Sequence, residues 1–417
     1  MFIPVVLFLF NNNDVFKNMR FTTQFIYASQ AEYGNFFYVV FLSYLIMISV
    51  YFFNRVLRKQ FGEMIVKKKF SENIEKIIYN YGCFFFIVGG GSVILFFYSM
   101  GGIREALEAA DALRYAGTDS SQYYGPLTAI FRMLSFLVMG AAYCFKSHYD
   151  LTKSNLSRIL FIISFGLASI YLIFNSGRST IIFFLFPFIL SYAKKRNINL
   201  IFISCVVVIV AISTAQVFDV ILYQISHGGI NTAHINSSIW DNINSAINDF
   251  SFPSANIINI EKMNSIFGLR NGKDYIIWIL DIIPTRAFNM LGITLPDYQT
   301  LNFETSNYFQ SINPLLMGGV PTDFITTGLR QHEMLGLIIN TLVYALFALR
   351  VDKLVRSFDL NLTVIFARLQ ILFFSFISNN DLTDIVRGNL FIFIMLIMLV
   401  QIDLYSNKVN RSNHSIE

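Results

Sequence analysis

The sequence predicts an all-α, polytopic transmembrane helical bundle, and three observations carry that expectation. Of 417 residues, 55% are hydrophobic and only 14% are charged, against roughly 25% charged in an ordinary soluble domain. The apolar content is bulky, with 45 Phe and 21 Tyr. It is laid out in long uninterrupted runs such as FFYVVFLSYLIMISVYFF at 36–53. About 20 successive apolar residues match the thickness of a bilayer core, so this patterning excludes a soluble globule.

Read with that ruler, nine runs are expected to span, near 36–53, 77–100, 126–145, 157–174, 179–193, 198–217, 334–349, 362–378 and 389–405. Residues 1–10 (MFIPVVLFLF) are short for a crossing at ~1.5 Å per residue and are read as a thin tenth span. They lack the basic start and small-residue cleavage site of a secretory signal. The whole chain, 1–417, therefore reads as one membrane-embedded domain.

Orientation follows from lysine and arginine. The loops 54–76, 146–158, 194–196 and 350–356, with the tail from 406, hold 18 of them. The alternate short loops hold 6, once the five in the long loop 218–333 are set aside, as the positive-inside rule requires. The first set is expected in the cytoplasm and the second outside. That asymmetry also accounts for the net charge of +5, which points to no nucleic-acid partner.

The outer face is elaborated. The loop 218–333 is 116 residues long with ten acidic residues, far beyond a simple connector. Within it, Tyr275 to Pro284 (YIIWILDIIP) is too short to span but apolar enough to lie in the interface as an amphipathic helix. The outer loop 101–125 carries a stretch of good helix formers, in which Arg104–Glu108 and Asp111–Arg114 are spaced as i,i+4 and i,i+3 pairs.

Several chemistries are disfavoured. There is no phosphate-binding G-x-x-x-x-G-K-[ST] loop, no H-E-x-x-H and no G-x-S-x-G elbow. No metal site is indicated, because only His227 and His234 lie close together and no carboxylate completes a ligand set. No cofactor is expected. Cys83, Cys144 and Cys205 are an odd set without short spacings, which argues against a disulfide framework.

What remains is a set of arginines at outward helix starts. Arg178, in Asn175-Ser176-Gly177-Arg178-Ser179-Thr180, precedes an inward-running helix that Ser179 or Thr180 is expected to cap. A helix N-terminus beside an arginine suits a phosphate-like anion, although headgroup anchoring is the plainer reading. Arg387-Gly388-Asn389 repeats the arrangement before the last span. Arg132 lies roughly two turns inside a span that starts at Pro126, where an ionisable group faces a cavity or a partner, or snorkels.

In the long loop, Arg286 follows the apolar segment as Pro284-Thr285-Arg286. Residues 318–336, GGVPTDFITTGLRQHEMLG, then place Asp323, Arg330, His332 and Glu333 just above a span. A carboxylate or imidazole beside arginines suits a general base next to an anionic leaving group. The plainer reading is a capped re-entrant segment whose charges are solvated.

The order of these features resembles the O-antigen polymerases: G-R-S before a span, a long outer loop whose apolar helix ends in P-x-R, then G-G-x-P ahead of a glycine that opens a span. The likeness runs over most of the chain from about residue 80. It departs where the family often has an acidic residue after the G-G-x-P turn and this chain has Thr326-Thr327. The resemblance implies a metal-independent membrane glycosyltransferase of the GT-C type, in a bacterial cytoplasmic (inner) membrane with its active site on the periplasmic face. It implies undecaprenyl-diphosphate-linked oligosaccharides as donor and acceptor, membrane lipid around the site, and a flippase and a chain-length regulator as partners.

On that reading Arg114, Arg178, Arg286, Arg330, Arg387 and Arg132 are candidates to bind diphosphate. Asp323, His332 and Glu333 are the candidate bases. An O-antigen ligase or a flippase for the lipid-linked repeat are the alternatives. The absence of two-halves symmetry counts against transport.

Overall fold

The computed structural model describes residues 29–60, 72–106, 108–109, 125–175, 178–196, 198–199, 202, 252–276, 292, 299–312, 320, 322–356 and 390–414, and among them the chain is helical with no strand. Five helices are long and apolar enough to cross a membrane: Gln30–Val56, Asn73–Ser99, Leu127–Thr152, Asn155–Ile173 and Phe324–Val355. Two shorter apolar helices, Phe184–Ala193 and Leu390–Tyr405, coincide with two further expected spans. This is a multi-pass membrane protein. Residues 1–10 and the expected span 362–378 lie outside the described residues, as does nearly all of 198–217.

Helix α1 (Gln30–Gln60) starts at a capping box. Ser29 Oγ accepts from the Glu32 amide at 3.2 Å while the Ser29 amide donates to Glu32 Oε2 at 2.6 Å, satisfying two amides that a helix start leaves open. Its faces divide cleanly. Phe36, Val39 and Val40 are buried, whereas Tyr38, Phe41, Leu45, Ile48 and Phe52 are exposed at helical spacing, as a lipid-facing stripe requires.

The second span is built from α2 (Glu72–Phe85), a π-helical turn (Phe86–Gly90) and α3 (Gly91–Ser99). Gly89 in that turn permits a backbone approach that no side chain would allow, since a Cβ there would fall 2.3 Å from the Val138 amide nitrogen. The third span faces it and is itself interrupted. Helix α4 (Pro126–Ser135) stops, and α5 (Leu137–Thr152) begins after Phe136. Beside the break Ser135 Oγ donates to Phe131 O at 2.7 Å, and the Tyr171 hydroxyl donates to Arg132 O at 2.5 Å. Tyr171 stands on α6 (Asn155–Asn175), so the mid-span defect also ties two helices together.

Helix α7 (Arg178–Lys195) corrects one expectation. It begins at Arg178, so Ser179 and Thr180 belong to its first turn and neither is the N-cap. Its Phe184 and Phe188 pack with Tyr143 and Phe165 in an aromatic cluster, the Tyr143 and Phe188 rings stacked at 5.0 Å. These helices and the last one, α12 (Leu390–His414), contribute to the first hydrophobic core.

A second core joins α1 to α8 (Phe252–Ile258), α9 (Ile260–Phe267), α10 (Leu301–Ile312) and α11 (Phe324–Arg356). Helix α12 (Leu390–His414) packs on the first core. The Lys262–Glu32 ion pair (2.8 Å) and the Asn35–Glu261 hydrogen bond (3.1 Å) pin α9 to the start of α1.

Candidate functional site

Helix α11 is not one rod. His332 (φ −147°, ψ 39°) and Glu333 (φ 49°, ψ −131°) break it. Residues 324–331 then fold back along the following helix. Asn340 Nδ2 donates to Phe324 O at 3.1 Å, and the Phe324 and Tyr344 rings stack at 5.3 Å. In a continuous helix residues 324 and 340 would stand ~24 Å apart. The crossing segment therefore starts near 334, as its apolar pattern predicts, and residues 324–331 are an antiparallel arm laid on it.

Both ends of the arm are capped. At its start Asp323 Oδ1 accepts from the amides of Ile325 (2.9 Å) and Thr326 (3.1 Å), and Oδ2 accepts from the Thr326 hydroxyl at 2.5 Å. Asn302 and Ser306, one turn apart on α10, receive the amides of Thr322 and Val320, each at 2.8 Å. At the arm's end the carbonyls of Arg330 and Gln331 accept from the amides of Arg270 (2.9 Å) and Asn271 (3.1 Å). The Gly272 amide donates to Gln331 Oε1 at 2.8 Å.

A buried charge cluster locks this end. Arg270 grips Asp274 with two bonds of 2.6 and 2.7 Å and reaches Glu304 Oε1 with its third nitrogen. Glu304 Oε2 receives Arg330 NH2 at 2.7 Å. Arg330 NH1 donates to Asn264 Oδ1 and to Gly268 O, and Gln331 Nε2 donates to Asp274. Two guanidinium groups and two carboxylates balance, as burial demands. Burial alone would pull Arg270 down, but Asp274 and Glu304 outweigh it and hold its guanidinium above its ordinary range.

Four of the candidate residues are thereby placed. Arg330 is only 1% exposed and is engaged by the protein itself. Asp323 is fully buried as the arm's N-cap, and burial pushes its carboxyl up to about 6 against the downward pull of Thr326 and the Ile325 amide. The expectation of solvated charges along 318–336 thus fails for these two, because α9 and α10 close over them. His332 and Glu333, beyond the clamp, are exposed. His332 Nε2 sits over Gly272, 3.8 Å from where a Cβ would stand.

Arg132 lies in α4, partly buried, with its carbonyl held by Tyr171. Arg178 opens α7. Arg114, Arg286 and Arg387 lie outside the described residues, as does most of the expected interfacial helix 275–284. The Arg104–Glu108 pair is present at 3.1 Å and exposed. Among the described residues no three His, Cys, Asp or Glu side chains are grouped to hold a metal ion.

Sequence reasoning missed Arg270, Asp274, Glu304 and Gln331. The i,i+4 spacing of Arg270 and Asp274 was a usable signal. Glu304 had none, since its partners lie 34 and 26 residues away. The chain matches no protein-family model, no curated protein and no solved structure.

Proposed function

We propose that this protein is a membrane glycosyltransferase that joins undecaprenyl-diphosphate-linked oligosaccharide repeats into a bacterial surface polysaccharide, on the periplasmic face of the inner membrane. The observation that carries this reading is the pair of accessible proton acceptors, His332 and Glu333, at the turn that opens a span. A lipid-linked sugar reaches such a place with its prenyl chain in the bilayer and its glycan outside.

In this scheme His332 or Glu333 takes the proton of an acceptor sugar hydroxyl. The hydroxyl oxygen bonds to the donor's anomeric carbon, and the bond from that carbon to the phosphate oxygen breaks. Undecaprenyl diphosphate leaves with the electron pair, and Arg114, Arg178, Arg286 and Arg387 offset its charge. Arg132 is kept as a further diphosphate candidate, roughly two turns below the Pro126 end of its span. Arg330 is assigned to the arm rather than to the diphosphate, because Glu304 already holds it.

The test is deletion of the gene followed by gel analysis of the surface polysaccharide. A ladder collapsed to one repeat, restored by the parent chain but not by a combined His332→Ala, Glu333→Gln chain, is the expected result. Loss of every rung overturns the polymerase reading. Long chains accumulating on the lipid carrier then indicate a ligase, and single repeats a flippase.

A further inference from the structure

We infer that Glu304 is a positioning residue for the His332–Glu333 turn, acting through Arg330 from another helix; the inference rests on the reading of that turn as the reactive edge. Three observations meet here. Glu333 holds φ 49° and ψ −131°, a region where a side chain costs on the order of 1–3 kcal/mol and which persists only when the surroundings over-determine it. The polar contacts nearest the turn lie on the two residues just before it, Arg330 and Gln331, whose carbonyls accept from the 270–271 amides and whose side chains are held by Asn264, Gly268, Gly272, Asp274 and Glu304. Glu304 is the carboxylate to which both cluster arginines come, at NH1 of Arg270 and NH2 of Arg330.

Glu304 therefore does two jobs at once. It stitches α10 to the arm, and it supplies half the negative charge of a buried cluster. Without its charge, two guanidinium groups share the one carboxylate of Asp274, an imbalance that a site 1–13% exposed does not screen. Arg330 then loses its ion-pair partner, the last turn of the arm loosens, and the strained Glu333 backbone relaxes. The turn no longer presents His332 and Glu333 in one geometry. A loop lacking such a clamp would place a general base too loosely for proton transfer, where an ångström of misplacement matters.

The test reads the turn directly and needs no turnover. In the full chain, with Cys83, Cys144 and Cys205 changed to Ala, a Glu333→Cys substitution is labelled with a maleimide in detergent solution. An Ile103→Cys chain, exposed and outside the second core, serves as reference. Glu304→Gln is expected to change the labelling rate at 333 about tenfold and at 103 less than twofold. Glu304→Asp, which keeps the charge, is expected to stay within threefold of the parent at both positions. An unchanged rate at 333 in Glu304→Gln overturns the inference, as does an equal change at 103, which would mean general loosening.

If Glu304→Gln does not accumulate, the charge-balanced pair Glu304→Gln with Arg270→Gln is labelled instead, with the same expectation at 333. Failure of both to accumulate makes Glu304 a folding residue and overturns its positioning role. Neither result bears on whether the chain polymerises glycans, which the polysaccharide ladder decides separately.

Discussion

Gly336 stands against Gly328 so closely that a Cβ on Gly336 would lie 2.1 Å from the Gly328 carbonyl oxygen, and one on Gly328 would lie 2.8 Å from Gly336 O. The obstacle in each case is backbone, which cannot swing aside as a side-chain tip does. The arm rests on the span only because neither residue has a side chain. Gly336→Ala is therefore expected to cost more than the ~1–3 kcal/mol typical of overpacking and to detach residues 324–331. Limited proteolysis checks this: cleavage between 320 and 333 should appear in Gly336→Ala and be absent from the parent chain. Gly166→Ala, which meets nothing within 4 Å, should leave the digest unchanged.

The turn beside that contact stores strain in Glu333, whose side chain makes no hydrogen bond among the described residues. Glycine tolerates φ 49° with ψ −131° far better than a side chain does. Glu333→Gly should stabilise the folded chain by about 1 kcal/mol, the relieved strain being partly offset by the greater freedom of glycine when unfolded. A melting temperature raised by a few degrees in detergent would show it. A lowered one would mean that the Glu333 side chain holds the turn. On the proposed function the same variant should also lengthen a polysaccharide ladder no better than the parent.

Much of this architecture was open to inspection in the chain itself, and what was not has physical causes. The spans at 36–53, 77–100, 126–145 and 157–174 were legible because lipid imposes length and apolarity on consecutive residues, so the signal is local. The Ser29-x-x-Glu32 cap carries an equally local signal, although the expected span starts only at 36. The arm at 324–331 was not. Its Thr, Asp, Arg and Gln residues look solvated in sequence, and they are buried because α9 and α10, from 14 to 66 residues earlier, supply Asn264, Asn302, Ser306 and Glu304 as partners to the arm and its approach. The interruptions at 86–90 and 136 were hidden for another reason. Phe136 is neither glycine nor proline, and the break there lies where Gly89 of the neighbouring span comes against the backbone of Leu137 and Val138.

That interruption makes its own prediction. The Tyr171 hydroxyl donates to Arg132 O near the end of α4 and so ties α6 to the interrupted span. The Tyr143 hydroxyl donates at 3.0 Å to Phe184 O, which lies mid-helix in α7. The first bond lies beside the interruption of a span, and the second joins the middles of α5 and α7. Tyr171→Phe should cost about 1–2 kcal/mol and Tyr143→Phe clearly less, measured as paired thermal melts. Equal costs would mean that the helix break is relieved in some other way.

Asp323 gives a pH signature with a definite sign. Its carboxyl is raised from 3.8 to about 6 in the folded chain by burial, against the pull of the Thr326 hydroxyl and the Thr326 and Ile325 amides. A group whose folded value lies above its unfolded value binds more protons when folded. Its contribution to stability is therefore full below about pH 4 and is lost as pH rises towards 6, at up to ~1.4 kcal/mol per pH unit. Above that window the ionised carboxylate is held by its cap hydrogen bonds alone. Asp323→Asn keeps an oxygen for the two amides and does not titrate. The difference in melting temperature between parent and Asp323→Asn should therefore narrow or reverse in favour of the variant as pH rises from 4 to 6.5, then stay level to pH 8. A difference that instead moves in favour of the parent with rising pH would show that the cap hydrogen bonds outweigh burial, and that Asp323 is ionised throughout.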